Sequence, residues 1–173
     1  MRKVKLFIAT SLDGYIAREN GEIDWLYTDQ DYGYHDFLAT VDTILMGGRT
    51  YRQVLSFGEE WPYVDKQSII FTKDVSQQSN DEITYVHHDV EAHVSRLKKE
   101  KGKDIWLVGG AEINTLLLRE GLIDEMWIFK MPVILGSGIP LFYKTPKESW
   151  FEIHDIEEFD TGLVKMIYHK KNV

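Results

Sequence analysis

Short apolar runs, each stopped by glycine, proline or a cluster of charge, divide the chain into alternating elements. Val4 to Ala9 alternates apolar and polar positions like a half-buried strand. Thr43 to Met46, Ser68 to Phe71, Ile83 to Val86 and Ile105 to Val108 are compact apolar or β-branched runs, the pattern of buried strands, and Glu125 to Lys130 reads as a further strand. Between them lie segments with helical spacing: Gln30 to Ala39 with Thr28 or Asp29 near its cap, a helix beginning over Thr50 to Leu55, Val90 to Glu100, and Glu112 to Arg119. Val90, Val94 and Leu97 share a face of the third, and Lys98, Lys99 and Lys101 suit its C-terminal end. Asp13-Gly14 and Asn20-Gly21 are turn pairs, and Asp74 to Glu82 is a polar loop. Trp150 to Ile156 and Leu163 to Tyr168 form two strands around Asp160-Thr161-Gly162, a hairpin. Alternation in the middle and a hairpin at the end predict an α/β domain with a mostly parallel central sheet and an antiparallel C-terminal edge.

Two junctions stand out within this pattern. ILMGGRTY, Ile44 to Tyr51, leaves an apolar strand through Gly47-Gly48 and enters a helix with Arg49 and Thr50. IWLVGGAEINTLLL, Ile105 to Leu118, does the same through Gly109-Gly110. Glycine lets backbone come close to a ligand, and a helix N-terminus presents unpaired N–H groups that suit phosphate. In an open α/β sheet, ligands bind at the C-terminal ends of strands, where both junctions lie. Two readings are available: a pair of helix N-termini gripping a dinucleotide, with Arg49 and the Thr50 hydroxyl as further donors, or tight strand–helix packing. Two such junctions favour the first. Neither matches GxGxxG or GxxxxGK[ST], so the Rossmann and P-loop patterns are poor fits.

Bulk properties narrow the class. The chain has 173 residues, enough for one domain (residues 1–173) with a real core, and it is 43% hydrophobic and 28% charged. Its net charge of −8 argues against nucleic acid as a main partner, but leaves room for a small anion on a local patch. With no cysteine, disulfides, thiol nucleophiles and thiolate metal sites are excluded. The first apolar run is too short for a signal peptide or a membrane span, so a cytoplasmic enzyme or binding protein is expected.

FIATSLDGYIA, ILMGGRTY and VGGAEI, in that order and at these spacings, resemble the dihydrofolate reductase-like family. The closer likeness is to the C-terminal reductase domain of the bifunctional riboflavin-biosynthesis deaminase-reductase. The resemblance spans nearly the whole chain. It implies a dihydrofolate reductase-like three-layer fold, NADPH as cofactor, and hydride transfer to a small heterocycle, most specifically the reduction of 5-amino-6-(5-phosphoribosylamino)uracil. Carried over by position, Gly48, Arg49 and Thr50 match the first phosphate-binding turn, and Gly109, Gly110, Ala111 and Glu112 the second. Thr72 and Lys73 match the holder of the adenosine 2′-phosphate, Ala9 the strand end beside the nicotinamide, and Ser11 to Trp25 the mobile covering loop. Glu112 departs from the family pattern, an acid near a proposed phosphate. A metal-dependent deaminase half has no counterpart here. The riboflavin relatives form dimers, and Met126 to Leu135 offers an apolar strand for a shared surface or for the core.

A reductase also needs a proton source. Asp31 is the positional candidate for catalysis, with capping of its own helix as the competing role. His35, at i+4, could face the same pocket. Asp13 shapes the SLDG turn and is a candidate substrate contact. Trp25, Tyr32 and Tyr34 could stack on a planar heterocycle or belong to the core. The HHDVEAH run (His87, His88, Asp89, His93) looks superficially like a metal cluster, but its spacing is weak and no metal is expected.

Overall fold

The computed structural model describes residues 1–58, 60–144 and 148–171. Six strands run parallel: β1 (Val4–Thr10), β3 (Val41–Gly47), β4 (Gln67–Phe71), β5 (Ile83–Val86), β6 (Asp104–Gly109) and β7 (Glu125–Lys130). Two more, β9 (Phe151–Glu158) and β10 (Val164–Lys170), continue the same sheet in antiparallel sense, giving the order β5-β4-β3-β6-β1-β7-β10-β9. A second, two-stranded sheet pairs β2 (Tyr15–Ala17) with β8 (Ile139–Pro140). The helices are α1 (Tyr34–Ala39), α2 (Gly48–Ser56), α3 (Val90–Leu97) and α4 (Ala111–Arg119).

The expected architecture is present, because interior parallel strands must be apolar on both faces. Ile44, Leu45, Met46, Ile69, Ile70, Ile105 and Leu107 are fully buried. On one face Val4, Leu6, Leu45, Ile69, Leu107, Val94, Leu97 and Leu117 form a core beneath α3 and α4. On the other, Phe37 of α1 packs with Ile44, Met46, Ile70 and Trp106. A third cluster joins Trp25 and Tyr32 to Phe129, Met131 and Leu163. The sheet thus lies between two helical layers.

One expectation needs correction. The helix expected over Gln30–Ala39 begins only at Tyr34, because Tyr32 (φ 52°) and Gly33 (φ 82°) are left-handed and stop it. Thr28 and Asp29 therefore lie outside its cap. Of the two roles open to Met126–Leu135, the core one holds for its first half: β7 pairs with β1 and β10, and Ile128, Phe129 and Met131 are buried. The short β2 and β8 have no counterpart in the sequence pattern. They clasp the 11–17 segment to the 133–141 segment, with Leu12 N–H donating to Val133 O (2.7 Å) and Leu141 N–H to Gly14 O (3.0 Å).

The two ends of the sheet differ. At the N-terminal ends of the parallel strands, the buried cations Arg2, Lys5 and Lys98 and the exposed Lys3 are matched with acids. Arg2 donates to Asp42 and to Lys103 O (2.5 Å), Lys5 pairs with Asp104 (2.9 Å), Lys98 with Asp124 (2.6 Å), and Lys3 with Glu125 (2.5 Å). The opposite end carries the glycine exits. Among the described residues, no helix is long and apolar enough to cross a membrane.

Candidate functional site

The strand order creates the site. From β3 the chain moves outward through α2 to β4. From β6, the strand hydrogen-bonded to β3, it crosses through α4 to β7 on the far side of β1. Connections leaving adjacent strands in opposite directions open a crevice above the strand ends. Both glycine pairs lie there, and the register sets Met46 against Gly109.

The pairs touch. A Cβ placed on Gly47 would stand 3.9 Å from Gly109 O and 4.0 Å from Gly110 N, and one on Gly110 would stand 3.2 Å from Thr50 Oγ1. A Cβ on Gly48 would stand 3.3 Å from Thr72 Oγ1 and 3.5 Å from an Arg52 guanidinium nitrogen. The exits of β3, β4 and β6 therefore form one cradle. Gly109 (φ +120°) requires glycine for its backbone, whereas Gly48 and Gly110 do not, so there the missing side chain serves space rather than conformation. The Gly109–Gly110 peptide is cis. Neither α2 nor α4 has a side-chain cap, so their first N–H groups face the cradle without a side-chain partner.

The residues expected at the cofactor site are distributed around this cradle. Gly48, Thr50, Thr72, Gly109 and Gly110 line it, and Ala111 is buried beneath it. Thr72 Oγ1 also accepts the Asp74 N–H (3.1 Å). Arg49, Lys73 and Glu112 are exposed around it, and Glu112 makes no capping bond to its own helix. Ala9 is half-buried at the end of β1 and packs on the Trp25–Tyr32–Phe129 cluster.

Charge is also asymmetric. Among the described residues, Arg49, Arg52, Lys73 and Lys130 have no carboxylate within ion-pair distance, whereas Lys5 and Lys98 at the other end of the sheet do. Lys130 ends β7 opposite Thr10 and donates to Ser11 O (3.2 Å). Its burial holds its ammonium below the usual lysine range, against the opposing charge of Asp13.

Asp13 is a clamp. Its carboxylate accepts Ser11 Oγ–H (2.6 Å), Leu135 N–H (3.1 Å) and Gly136 N–H (2.8 Å). The Ser11 hydroxyl does most to hold it below the ordinary carboxylate range, aided by the two backbone donors. Its oxygens are thus committed to the loop, in keeping with a turn-shaping role. Trp25 is buried over Ala9 and Phe129, and its indole N–H has no partner. A buried donor left open beside the strand end is chemically ready for an acceptor on a bound molecule.

Asp31 and His35 differ from the expected pocket acid. His35 is 82% exposed and Asp31 41% exposed; the His35 ring bonds the Asp31 carboxylate directly, and its backbone N–H donates at 3.2 Å. Partial desolvation pushes Asp31 up, but the hydrogen bonds and charge of His35 outweigh it and hold the carboxyl below its ordinary range. Asp31 is thus an ionised surface partner of His35, not an occluded acid with a raised pKa. In the HHDVEAH run, Asp89 (φ 52°) precedes α3 and His93 packs on Phe71. Among the described residues, no group of three or more His, Asp or Glu could hold a metal ion.

Arg52, Lys130 and His87 are neighbours of the cradle whose places there the linear pattern does not give. Arg52 had a usable signal, i+3 from Arg49 on the same helix face. Lys130, a cation closing the apolar run EMWIFK, had a weaker one.

An open α/β sheet with glycine-lined helix N-termini at its switch point defines the dihydrofolate reductase-like class. A solved dihydrofolate reductase from Enterococcus faecalis, complexed with NADP(H), shares this fold at a TM-score of 0.71, with 15% identity and 98% and 97% of the two chains covered. Within that class the chain belongs to the RibD C-terminal domain family, whose model matches residues 2–66 and 61–165. It is 42% identical over 165 residues to the uncharacterised protein YwjB of Bacillus subtilis (strain 168), covering 94% of this chain and 95% of that protein. A crystal structure from Shewanella sp. PV-4, provisionally named a riboflavin biosynthesis protein, superimposes at a TM-score of 0.88 with 32% identity, covering 98% and 99% of the chains.

Proposed function

We propose that the protein is an NADPH-dependent reductase that transfers hydride to a small heterocycle. The observation that carries this reading is the shared cradle, in which Gly47-Gly48 and Gly109-Gly110 meet at the C-terminal ends of β3 and β6. Membership of the RibD C-terminal domain family and the NADP(H)-bound dihydrofolate reductase of the same fold support it.

The residues fit the cofactor. The α2 and α4 N-termini, Arg49 and Thr50 would hold the diphosphate; Thr72, Lys73 and Arg52 would hold the adenosine phosphate; and Ala9 would leave room for the nicotinamide ring. When bound, reduced nicotinamide supplies the hydride. Trp25 and Tyr32 exclude water above Ala9, and the free Trp25 N–H and Lys130 orient the heterocycle. The proton is drawn from solvent through the Asp31–His35 pair, in which Asp31 is a positioning residue.

On the family's example, the most specific substrate is 5-amino-6-(5-phosphoribosylamino)uracil, in riboflavin biosynthesis. A pterin or dihydrofolate is the alternative, on the example of the dihydrofolate reductase that shares the fold. A cytoplasmic homodimer is part of the proposal. Its surface is not β7 but the part of β9 bearing Ile153 and Ile156, which are 54% and 50% exposed.

Titration calorimetry with NADPH and NADH tests the cofactor reading. NADPH is expected to bind at least about tenfold more tightly, since one charge-assisted phosphate contact is worth roughly 1.5–3 kcal/mol. Absence of binding by both would overturn it.

A further inference from the structure

His87 ends up beside the cradle because of strand register. Phe71 of β4 is level with Val86 of β5, so the next residues, Thr72 and His87, emerge together. His87 Nδ1 lies 3.2 Å from Thr72 O, and the Thr72 side chain lies against Gly48. A carbonyl oxygen can only accept, so Nδ1 carries the hydrogen. In the neutral ring Nε2 is then a bare lone pair, which repels a phosphate oxygen. Only the protonated ring offers an N–H there. The Thr72 carbonyl thus fixes a histidine that can bind an anion only by taking up a proton.

We infer that His87 is a proton-linked contact for an anionic phosphate bound beside Gly48, so that the preference for a phosphorylated cofactor rises as pH falls. The inference rests on reading the cradle as the cofactor site, and adds to it a specificity residue and a pH dependence. The titratable groups that interact with His87 are Asp74 after β4 and His88 beside it, with Lys73 and Asp89 nearby along the chain and Arg52 of α2 on the Gly48 side of Thr72. Asp74 already accepts from Ser76 Oγ–H (2.6 Å) and Ser76 N–H (3.0 Å), so it is oriented by its own loop.

Calorimetry in two buffers of different ionisation enthalpy measures the protons taken up on binding. At pH 7.5 a phosphate monoester, with a second pKa near 6, is almost wholly dianionic and contributes little. The intact protein is expected to take up a substantial fraction of a proton with NADPH and none with NADH. Its NADPH affinity should fall about fivefold to tenfold between pH 6.5 and 8.5. His87→Gln should abolish the uptake and flatten this slope, leaving NADH affinity unchanged. Lys73→Gln should weaken NADPH binding while keeping the uptake, and His88→Gln should keep both. Equal uptake in the intact protein and His87→Gln, or loss of uptake in His88→Gln instead, would overturn the inference while leaving the cofactor reading intact. Failure of the intact protein to bind NADPH would remove both.

Discussion

Gly110→Ala separates a ligand cradle from a packing device. The residue has φ −85° and ψ −158°, a conformation open to alanine, so the backbone is not strained. The new Cβ meets one close atom, Thr50 Oγ1 at 3.2 Å, and a hydroxyl on a helix surface can turn away. Mild overpacking costs roughly 1 kcal/mol, and the stiffer unfolded chain returns about 0.4–1 kcal/mol. Net stability should change by less than about 1 kcal/mol, a shift of roughly 2–4 °C at most for a chain of this size. Binding should suffer far more, because the methyl group stands where a phosphate oxygen would meet the α4 N–H groups. Loss of one charge-assisted bond, roughly 1.5–3 kcal/mol, means about 10- to 150-fold weaker NADPH binding. Thermal unfolding and calorimetry on the same sample read both numbers. Unchanged NADPH affinity with unchanged melting temperature would refute the cradle and return the glycines to packing. Gly109→Ala is the contrasting case: at φ +120° any side chain is strained, so it should lower the melting temperature by itself.

Arg49→Ala should weaken NADPH binding about tenfold and reduce its salt dependence, as seen by titration at two ionic strengths, because the exposed guanidinium acts over screened distances. Asp31→Asn should lower turnover while leaving NADPH affinity within about twofold; turnover equal to that of the parent would remove the Asp31–His35 pair from the mechanism. Burial pushes Glu125 up, but the Lys3 hydrogen bond, the Trp127 N–H and the charges of Lys5 and Lys3 outweigh it and hold the carboxyl below its ordinary range. A depressed carboxylate stabilises the fold above its unfolded value of about 4.3, and that stability is lost as pH falls through the folded value. Urea titrations should therefore find Glu125→Gln less stable at pH 7 and less acid-sensitive below about pH 4. Ile153→Asp with Ile156→Asp should convert a dimer to a monomer in light scattering; an unchanged mass would exclude this face as the contact.

The interior strands were legible because burial on both faces leaves an unmistakable apolar run, as in SIIF and IWLV. The start of α1 was not, since the left-handed turn at Tyr32-Gly33 leaves the apolar spacing of the segment intact. β2 and β8 are too short for any periodicity, and they exist through the clasp between Asp13 and the 135–136 backbone. β9 does not alternate regularly: Ile153 and Ile156 reach one face only through the register shift opposite Ile167-Tyr168, and both are exposed. At the site, the glycine exits were legible because a conformational demand shows in residue type. His87 and Lys130 were not, because their places come from register across strands far apart in sequence.

Charge ties these elements together. At −8 overall, the molecule repels anions at long range, so an anionic cofactor needs a local reversal of sign. The fold supplies it by neutralising Arg2, Lys3, Lys5 and Lys98 within ion pairs at one end of the sheet and leaving Arg49, Arg52, Lys73 and Lys130 without such partners at the other. The same division separates stability from binding. Loss of a cation at the paired end strands a partly buried acid and should destabilise the fold. Loss of Arg49, Arg52 or Lys73 at the open end removes a solvated charge, so it should change affinity for anions while leaving the melting temperature nearly unmoved.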